Sequence, residues 1–520
     1  MKSRRKVSPR MNKSKKIGIA VSYINILLNM AVNIFFTPFL LQSLGTAEYG
    51  VYKIIHSFSG TLSIMSFGMC TVVARNIVYY NEKKEYEKKQ NFLFIANVIS
   101  SVLFFLVIVV GGILFFFIDP LYQKTLSVSD LHTAKILYII MIFNTAVTIF
   151  GDSYAGIIRG HELFALSYLT KTFKITGRVA LIILLINLGF NSVAIVSVDL
   201  FLTVCVVLFD IVFSKLKLKE RPKFKSWDKE VIKTAFIFSS AILLQVIVNS
   251  VNQNMDGVIL GAMTDPDTVA MYSLGLTIFV TYNSITNVIA SVFTPQATKL
   301  VYSGAGCEKL TDFVVRPGRV QLVLSGAIIG GFILYGRSFI SAWVGAEYLS
   351  VYPVILLLLI PAVIPVIVSA SNAILDAKML RLGRSIILFI MAIINLVISI
   401  VLVYFVGYIG ATIGTAISYV VGHGIITTFY LKKSVGLNVR RMYRNICKGI
   451  LPCVIITTVL LIPTALWFPD GWFGLGLKIV TFIAIYAVLL YLMGFNENEK
   501  ESYICTPLNK ILRRKKQKEN

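Results

Sequence analysis

The chain has 520 residues, of which 56% are hydrophobic and only 14% are charged. Soluble globular proteins are usually about 45–50% apolar and about 25% charged. Such an excess of apolar residues over this length indicates a polytopic membrane protein. It excludes a disordered chain, a collagen-like repeat and a small disulfide-bonded scaffold.

The chain begins with a basic segment that is followed by a long apolar run. Residues 1–16 contain eight Lys and Arg, and the apolar run extends from Ile17 to Leu41. This run is too long for the apolar core of a signal peptide, and no A-x-A cleavage site follows it. We therefore predict an uncleaved first span whose N-terminus lies in the cytoplasm.

About fourteen apolar runs are long enough to cross a bilayer, which requires about 20 mostly apolar residues. They lie near 17–41, 51–74, 92–118, 134–158, 166–187, 191–214, 233–260, 269–294, 318–339, 352–375, 385–406, 410–431, 449–468 and 474–494. The sequence therefore predicts an all-α polytopic membrane protein. Pro361 and Pro365 predict a kink in the tenth span.

Basic residues are concentrated in every second connector between these spans. With Lys233, those connectors hold 42 of the 50 Lys and Arg, and they lie at 1–16, 75–90, 159–165, 215–232, 295–319, 376–384, 432–448 and 495–520. The opposite connectors carry acids, namely Glu48, Asp119, Asp130, Asp265, Asp267, Glu347 and Asp470. The positive-inside rule places both termini in the cytoplasm and makes the number of spans even. The basic connectors chiefly set the topology, and their attraction to anionic lipid head groups is a secondary effect. We expect no nucleic-acid partner.

The short connectors disfavour chemistry on soluble substrates. The longest outer connector, 119–133, has about fifteen residues, and the chain contains no HExxH, GxSxG or Walker motif. The six cysteines have neither zinc-finger nor C-x-x-C spacing. We therefore expect a protein that is not an enzyme and that binds no metal.

A weak internal repeat relates the two halves of the chain at an offset of 220 residues. The polar residues that align between the first and seventh spans are Asn25, Asn29 and Asn33 with Gln245, Asn249 and Gln253. In the same alignment Tyr52 falls on Tyr272 and Gly50 on Ala270. Self-similarity between six-helix halves is typical of transporter folds.

Repeat and connectors together divide the chain into seven segments. These are a basic tail (1–16), an N-terminal six-helix bundle (17–214), a linker (215–232), a C-terminal six-helix bundle (233–431), a basic loop (432–448), a C-terminal helix pair (449–494) and a tail (495–520). We expect the tails, the linker and the basic loop to be cytoplasmic.

The aligned amides follow one face of each helix, because they recur every four residues. Such amides either form hydrogen bonds between helices or line a polar cavity. Their recurrence in both halves favours a cavity lining. Asp256 extends the stripe of the seventh span, and it is a candidate for binding a coupling proton or Na⁺. The alternative is a structural acid that pairs with a cation such as Lys53.

Three cations of the fifth span, Lys171, Lys174 and Arg178, share one helix face because they are spaced by three and four residues. If the helix enters the membrane near Leu166, Arg178 lies about 18 Å along it. That is past the middle of a core about 30 Å thick, so Arg178 needs a partner or water. Asp199 of the sixth span is expected at similar depth, since the two residues lie at similar distances from the turn near Gly189.

These cations have two interpretations. Lys171 either snorkels to the cytoplasm or joins Lys174, Arg178 and Lys53 of the second span in a cationic cavity. Asp199 either forms a structural ion pair or holds a cation ready for an anionic substrate, and it is a second candidate for ion coupling. Lys174 is the strongest candidate for binding the substrate.

The first span ends in FLLQSLGTAEYGVY, and MDGVILG and VAMYSLG lie around the seventh and eighth spans. These residues resemble the polysaccharide-export branch of the multidrug/oligosaccharidyl-lipid/polysaccharide (MOP) exporter superfamily, which contains the Wzx-type oligosaccharide flippases. The resemblance extends over essentially the whole chain. The second copy departs from the first, with Ala270 in place of Gly50 and an extra residue before it. The subfamily therefore stays open.

The resemblance implies two pseudo-repeated six-helix bundles plus two C-terminal helices, as in MATE and MurJ, with alternating access around a central cavity. It implies a flippase for undecaprenyl-diphosphate-linked oligosaccharide in O-antigen, capsule or exopolysaccharide biosynthesis, in a bacterial cytoplasmic membrane. The partners implied are this polyprenyl-diphosphate-linked glycan and the bilayer, with a polysaccharide polymerase or glycosyltransferases as further ones. No cofactor is implied beyond H⁺ or Na⁺. The alternatives are a lipid II flippase and a MATE-like multidrug exporter.

The predicted orientation is tested by a reporter enzyme that is active only outside the cytoplasm. Fused after Asn520, this reporter should be inactive, because the alternating basic connectors place the C-terminus in the cytoplasm. An active fusion would show that the number of spans is odd.

Overall fold

The computed structural model describes residues 13–227, 229–467, 469 and 471–501. It is 88% helix, and no strand occurs in the described part of the chain, which confirms the predicted all-α class. Most of the predicted basic tail 1–16, most of the tail 495–520 and the acid Asp470 lie outside the described residues.

The helices follow one another with short connections. They are α1 (Lys13–Leu44), α2 (Thr46–Gly60), α3 (Met69–Lys83), α4 (Tyr86–Phe115), α5 (Ile118–Tyr122), α6 (Val128–Gly160), α7 (Phe164–Asn187), α8 (Ser192–Leu216), α9 (Lys229–Met263), α10 (Pro266–Tyr302), α11 (Cys307–Trp343), α12 (Val351–Ile367), α13 (Ala370–Ala377), α14 (Arg381–Val406), α15 (Tyr408–Ser418), α16 (Thr427–Val435), α17 (Val439–Cys447), α18 (Ile450–Leu460), α19 (Ile462–Trp467), α20 (Trp472–Leu489) and α21 (Glu497–Lys500). Short 3₁₀ segments occupy Thr61–Ser66 and Ala346–Tyr348, and π-helical segments occupy Tyr419–Ile426 and Leu490–Gly494.

By length and composition, 11 helical stretches of the described residues are able to cross a membrane, and 12 if the bent pair of α12 and α13 is one span. That pair bends by 45°, which confirms a kink in the tenth predicted span. The fifth and seventh predicted spans correspond to α7 and α9 and are missing from this count. Every eighteen-residue window of α7 contains Lys171, Lys174 and Arg178, which makes α7 too charged to be recognised by composition alone. The predicted count of fourteen is therefore approximate.

The repeat seen in the sequence is also present in the backbone. Helices α2 and α10 begin at Thr46 and Pro266, which are 220 residues apart. Backbone turns with positive φ recur at nearly the same offset, in the pairs Lys84 and Gly304, Glu162 and Met379, Gly189 and Gly407, and Lys219 and Gly436. Equivalent helices of the two halves therefore end with the same local geometry.

Two compact units are formed by the chain, and their boundaries differ from the predicted six-helix halves, which stay a prediction. The first unit contains residues 1–277 and 392–411, and the second contains 278–391 and 412–520. In the first unit, α6 packs against α2, α3, α4 and α8, while α1 packs against α7 and α2 against α9. The second unit is centred on α11, which packs against α12, α17, α18 and α20.

Close helix contacts within each unit are made at paired glycines spaced by four residues. Gly156 and Gly160 of α6 meet α3, Gly257 and Gly261 of α9 meet α2, and Gly326 and Gly330 of α11 meet α18 and α20. A Cβ atom at any of these positions would collide with the facing helix. Small residues at this spacing let membrane helices approach closely.

In the second unit, a buried arginine fixes the helices that follow the repeat. The Arg319 guanidinium of α11 pairs with Glu499 through Nε and Nη2, at 2.6 and 2.9 Å. It also donates to the carbonyl oxygens of Asn445, Lys448 and Gly494 at 2.7–2.8 Å. A guanidinium has five N–H donors, and these contacts satisfy most of them.

Candidate anion-binding site

An ion pair between α7 and α8 is the centre of the candidate site in the first unit. Arg178 Nε lies 2.7 Å from Asp199 Oδ1, as expected from the antiparallel register about the turn at Gly189. Arg178 Nη2 also donates to the hydroxyl of Tyr52 on α2 at 3.2 Å. The guanidinium therefore joins three helices, and it is only 28% exposed.

Lys174 lies one turn before Arg178 on the same face of α7. Its Nζ donates to Thr203 Oγ1 at 2.8 Å. The Thr203 hydroxyl is also 2.6 Å from Asn144 Oδ1 and 2.6 Å from the Asp199 carbonyl oxygen. This neutral network fixes the ammonium group without neutralising its charge.

Lys53 brings a third cation to the site from α2. Its Nζ lies 5.1 Å from the ring centroid of Tyr49 and 5.8 Å from that of Tyr52. Cation–π contacts of this length stabilise an ammonium group in place of water. Lys53 is also close enough to Arg178 for their like charges to repel.

We define the cationic cluster as Lys53, Lys174, Arg178 and Asp199. It holds three cations and one carboxylate, which is already paired with Arg178. Among the described residues, neither Lys53 nor Lys174 has a carboxylate within 4.0 Å. The cluster therefore has an excess of positive charge inside a membrane-spanning bundle, where an anion would be bound favourably.

The structure separates Lys171 from this cluster. The charges that act on Lys171 are those of Arg159 and Asp152, and Arg159 in turn interacts with Asp210. Two cations and two acids balance in this inner group. Lys171 shares a face of α7 with Lys174 and Arg178, as predicted, but it lies in a separate, charge-balanced environment.

Equivalent amides of α1 and α9 are hydrogen-bonded in both halves of the repeat, with the donor and acceptor positions exchanged. Asn29 Nδ2 lies 3.2 Å from Asn25 Oδ1, and Gln245 Nε2 lies 3.0 Å from Asn249 Oδ1. Asn25 is buried and donates to Thr172 of α7 at 3.0 Å, which is a bond between helices. Asn25 therefore fits the interpretation that these amides form hydrogen bonds between helices.

The other amides leave the cavity interpretation open. Asn29, Asn249 and Gln253 are exposed in the chain as it stands, and Asn33 is half-buried. Exposed amides within predicted spans face either lipid or water, and lipid is costly for a polar group.

Asp256 of α9 is buried and accepts a hydrogen bond from the hydroxyl of Tyr272 at 2.6 Å. Tyr272 is the repeat equivalent of Tyr52, which receives the hydrogen bond from Arg178. In both halves a tyrosine at the start of an even-numbered span therefore contacts a charged side chain. The recurrence of tyrosine at the offset of 220 marks the repeat in the sequence, and the structure shows that both tyrosines contact a charged side chain.

Thr203 and Asn144 also belong to the site, and no sequence pattern pointed to them. Single hydroxyls and amides are common in membrane helices, because they form bonds between helices. Their contact with Lys174 depends on how α6, α7 and α8 cross.

Comparison with known proteins agrees with this fold. The lipid II flippase MurJ, in an inward closed conformation, superimposes with a TM-score of 0.67 at 14% identity, covering 92% of this chain and 98% of that chain. A multidrug resistance MATE family transporter of the MOP superfamily, inward-facing, gives a TM-score of 0.62 at 15% identity, covering 81% and 99%. At such identities the likeness shows a common fold.

The sequence comparisons extend over most of the chain. The "uncharacterized membrane protein EpsK" of Bacillus subtilis (strain 168) is 21% identical over 517 residues, which is 93% of this chain and 96% of the relative. Fold and sequence together define a multi-pass membrane protein that shares the fold of MurJ and the MATE transporter. The chain belongs to the polysaccharide biosynthesis protein family, whose model matches residues 17–301.

Proposed function

We propose that the protein flips an undecaprenyl-diphosphate-linked oligosaccharide across a bacterial cytoplasmic membrane by alternating access. The glycan would then serve O-antigen, capsule or exopolysaccharide biosynthesis. The observation that carries the proposal is the excess of cations in the cationic cluster. Membership of the polysaccharide biosynthesis protein family supports it.

A diphosphate is the substrate group that crosses hydrocarbon least readily, because its charges must leave water. In the proposal, the ammonium groups of Lys53 and Lys174 replace part of that hydration. Arg178 supplies a planar fork of N–H donors, the geometry that matches phosphate oxygens. Asp199 orients this fork through the 2.7 Å ion pair and keeps Arg178 from leaving the site.

The sugar hydroxyls need hydrogen-bond partners as well as the diphosphate. Asn29, Asn33, Gln245, Asn249 and Gln253 offer amide donors and acceptors within predicted spans. We assign these groups to the sugars, since amides match hydroxyls in capacity and carry no charge. Lys171 receives no role in diphosphate binding, because its charge is balanced by Asp152.

Two alternatives differ in what they would require of the cluster. A lipid II flippase would transport the same diphosphate with a different headgroup, so the cluster suits it equally. A MATE-like exporter of cationic drugs would require an excess of acids, and the cluster has the opposite charge. In both the proposal and the lipid II alternative, no covalent bond of the substrate changes, so the protein is not proposed to be an enzyme.

The proposal predicts that Lys53→Gln with Lys174→Gln slows flipping of a fluorescent polyprenyl-diphosphate oligosaccharide in proteoliposomes. A hydrogen bond to a charged group contributes about 1.5–3 kcal/mol, so we expect the rate at low substrate to fall at least tenfold. Arg178→Lys should retain part of the activity, because Lys keeps the charge but loses the fork. Flipping is measured as the fraction of fluorophore that an impermeant quencher reaches.

A control for total charge is Lys217→Gln with Lys219→Gln, two exposed residues of the linker outside the cluster. This control removes the same charge and should flip at the normal rate. Flipping at the normal rate by Lys53→Gln with Lys174→Gln would overturn the proposed role of the cluster.

We propose further that Asp256 binds the coupling ion, a proton or Na⁺, in one conformation and releases it in the other. Its burial and its hydrogen bond from Tyr272 support the proposal, since a carboxylate in a span is rare and usually functional. Asp199 is the weaker candidate, because it already neutralises Arg178.

Asp256→Asn separates a coupling role from a structural one, because asparagine still accepts the hydrogen bond from Tyr272 but does not titrate. A coupling acid predicts a folded, membrane-inserted variant whose flipping no longer responds to an imposed H⁺ or Na⁺ gradient. The matched control is Tyr272→Phe, which removes the hydrogen bond and leaves the carboxylate, so it should keep the response. A normal gradient response in Asp256→Asn would exclude Asp256 from coupling.

A further inference from the structure

A cavity of about 680 Å³ opens in the first unit, away from the cationic cluster. Its apolar wall is formed by one side of α4, from Phe94 through Val98 and Val102 to Phe105. Its rim is formed by the end of α8 and the start of the linker, where Lys215 and Arg221 lie. Neither the repeat nor the proposed transport accounts for this cavity.

The rim is held in place by a buried ionic contact. Glu220 is only 6% exposed, and its Oε1 accepts from Lys89 Nζ at 2.6 Å and lies 2.8 Å from His161 Nε2. Burial alone would raise the pKa of Glu220, but the hydrogen bonds from His161 and Lys89 outweigh it and lower the pKa. The carboxylate is therefore ionised and engaged by two partners, so it does not oppose an anion at the rim.

The following linker residues run beside the start of α4 and are bonded to it. Asn91 Oδ1 accepts from the backbone N–H of Lys225 at 2.9 Å, and Asn91 Nδ2 donates to the Ser226 carbonyl oxygen at 2.9 Å. The backbone N–H of Lys223 donates to the Gln90 carbonyl oxygen at 3.2 Å. The linker is thus anchored before Arg221, through Glu220, and after it, through Lys223, Lys225 and Ser226.

The two rim cations are available for a ligand. Lys215 and Arg221 are both exposed, and neither has a carboxylate within 4.0 Å among the residues that the structure describes. They border the same cavity, so their charges act on a single bound group. A phosphate at this position would meet two unpaired cations.

The apolar wall has the dimension of one membrane leaflet. From Phe94 to Phe105 the helix rises about 16 Å, which is about half of a hydrocarbon core about 30 Å thick. Val102 is 58% exposed and Phe105 64% exposed. In the orientation that the basic loops predict, this wall extends from the cytoplasmic headgroup level to the middle of the bilayer.

We infer that the cavity binds an anionic phospholipid of the cytoplasmic leaflet. Its phosphate lies between Lys215 and Arg221, and one acyl chain lies along Val98, Val102 and Phe105. Three features favour an anionic phospholipid as the occupant: the charge at the rim, the apolar wall of leaflet length and the anchored linker. The site is independent of the proposed substrate, because it lies outside the cationic cluster.

Native mass spectrometry of the full chain in detergent tests the site with phosphatidylglycerol and phosphatidylcholine of identical acyl chains. We expect phosphatidylglycerol to bind more tightly than phosphatidylcholine. The double variant Lys215→Ala with Arg221→Ala should weaken phosphatidylglycerol binding about 25-fold, since each cation contributes about fivefold. Lys217→Ala with Lys219→Ala removes the same charge from the same linker outside the cavity and should leave binding unchanged. Equal binding of the two lipids, or equal loss in both double variants, would overturn the inference.

The apolar wall is tested separately by filling it. Val102→Trp should reduce phosphatidylglycerol binding at least fivefold by occupying the space of the acyl chain. Val109→Trp is the matched control, since Val109 is also 58% exposed on α4 but does not line the cavity. Unchanged binding in Val102→Trp, or displacement of phosphatidylglycerol by equimolar undecaprenyl phosphate, would show that a phospholipid is not the occupant.

Discussion

The ion pair of Arg178 and Asp199 is the contact on which the candidate site depends. A guanidinium within a span must be paired or hydrated, because hydrocarbon offers no acceptor for its N–H groups. Here the pair, at 2.7 Å, and the hydrogen bond to Tyr52 fix α7, α8 and α2 relative to one another. Because Asp199 is paired with Arg178, no carboxylate of the described residues lies within 4.0 Å of Lys53 or Lys174, and the cluster has more basic than acidic side chains.

Lys171 of the first unit and Arg319 of the second lie beside acids that balance their charge, in contrast to Lys53 and Lys174 of the cationic cluster. Lys171 lies among Arg159, Asp152 and Asp210, so its surroundings are neutral. Arg319 of the second unit is neutralised by Glu499, with backbone carbonyls completing its hydrogen bonds. Unbalanced charge is costly in a membrane protein, and it persists where a ligand or water completes it.

Much of the fold was predictable, because hydropathy and loop charge act locally along the chain. Hydropathy predicted the all-α class. Pro361 and Pro365 predicted the kink of the tenth span, and the distances of Arg178 and Asp199 from the turn near Gly189 predicted their register. The fifth predicted span, 166–187, corresponds to α7, although the three cations that suggest function also lower its hydropathy. Tyr52, Thr203 and the separation of Lys171 could not be predicted, since they depend on how helices distant in sequence cross. Glycines spaced by four residues are visible in the sequence and are a general signal of close helix contacts in membranes.

The central claim is that the cationic cluster binds a diphosphate, and calorimetry measures this most directly. Farnesyl diphosphate and farnesyl monophosphate are titrated into the full chain in nanodiscs, before and after Lys53→Gln with Lys174→Gln. The account predicts that the diphosphate binds about tenfold or more tightly than the monophosphate in the natural chain, since it makes at least one more charge-assisted contact. It also predicts that the difference disappears in the variant. Equal affinities for the two ligands in the natural chain, or a preference that survives both substitutions, would contradict it.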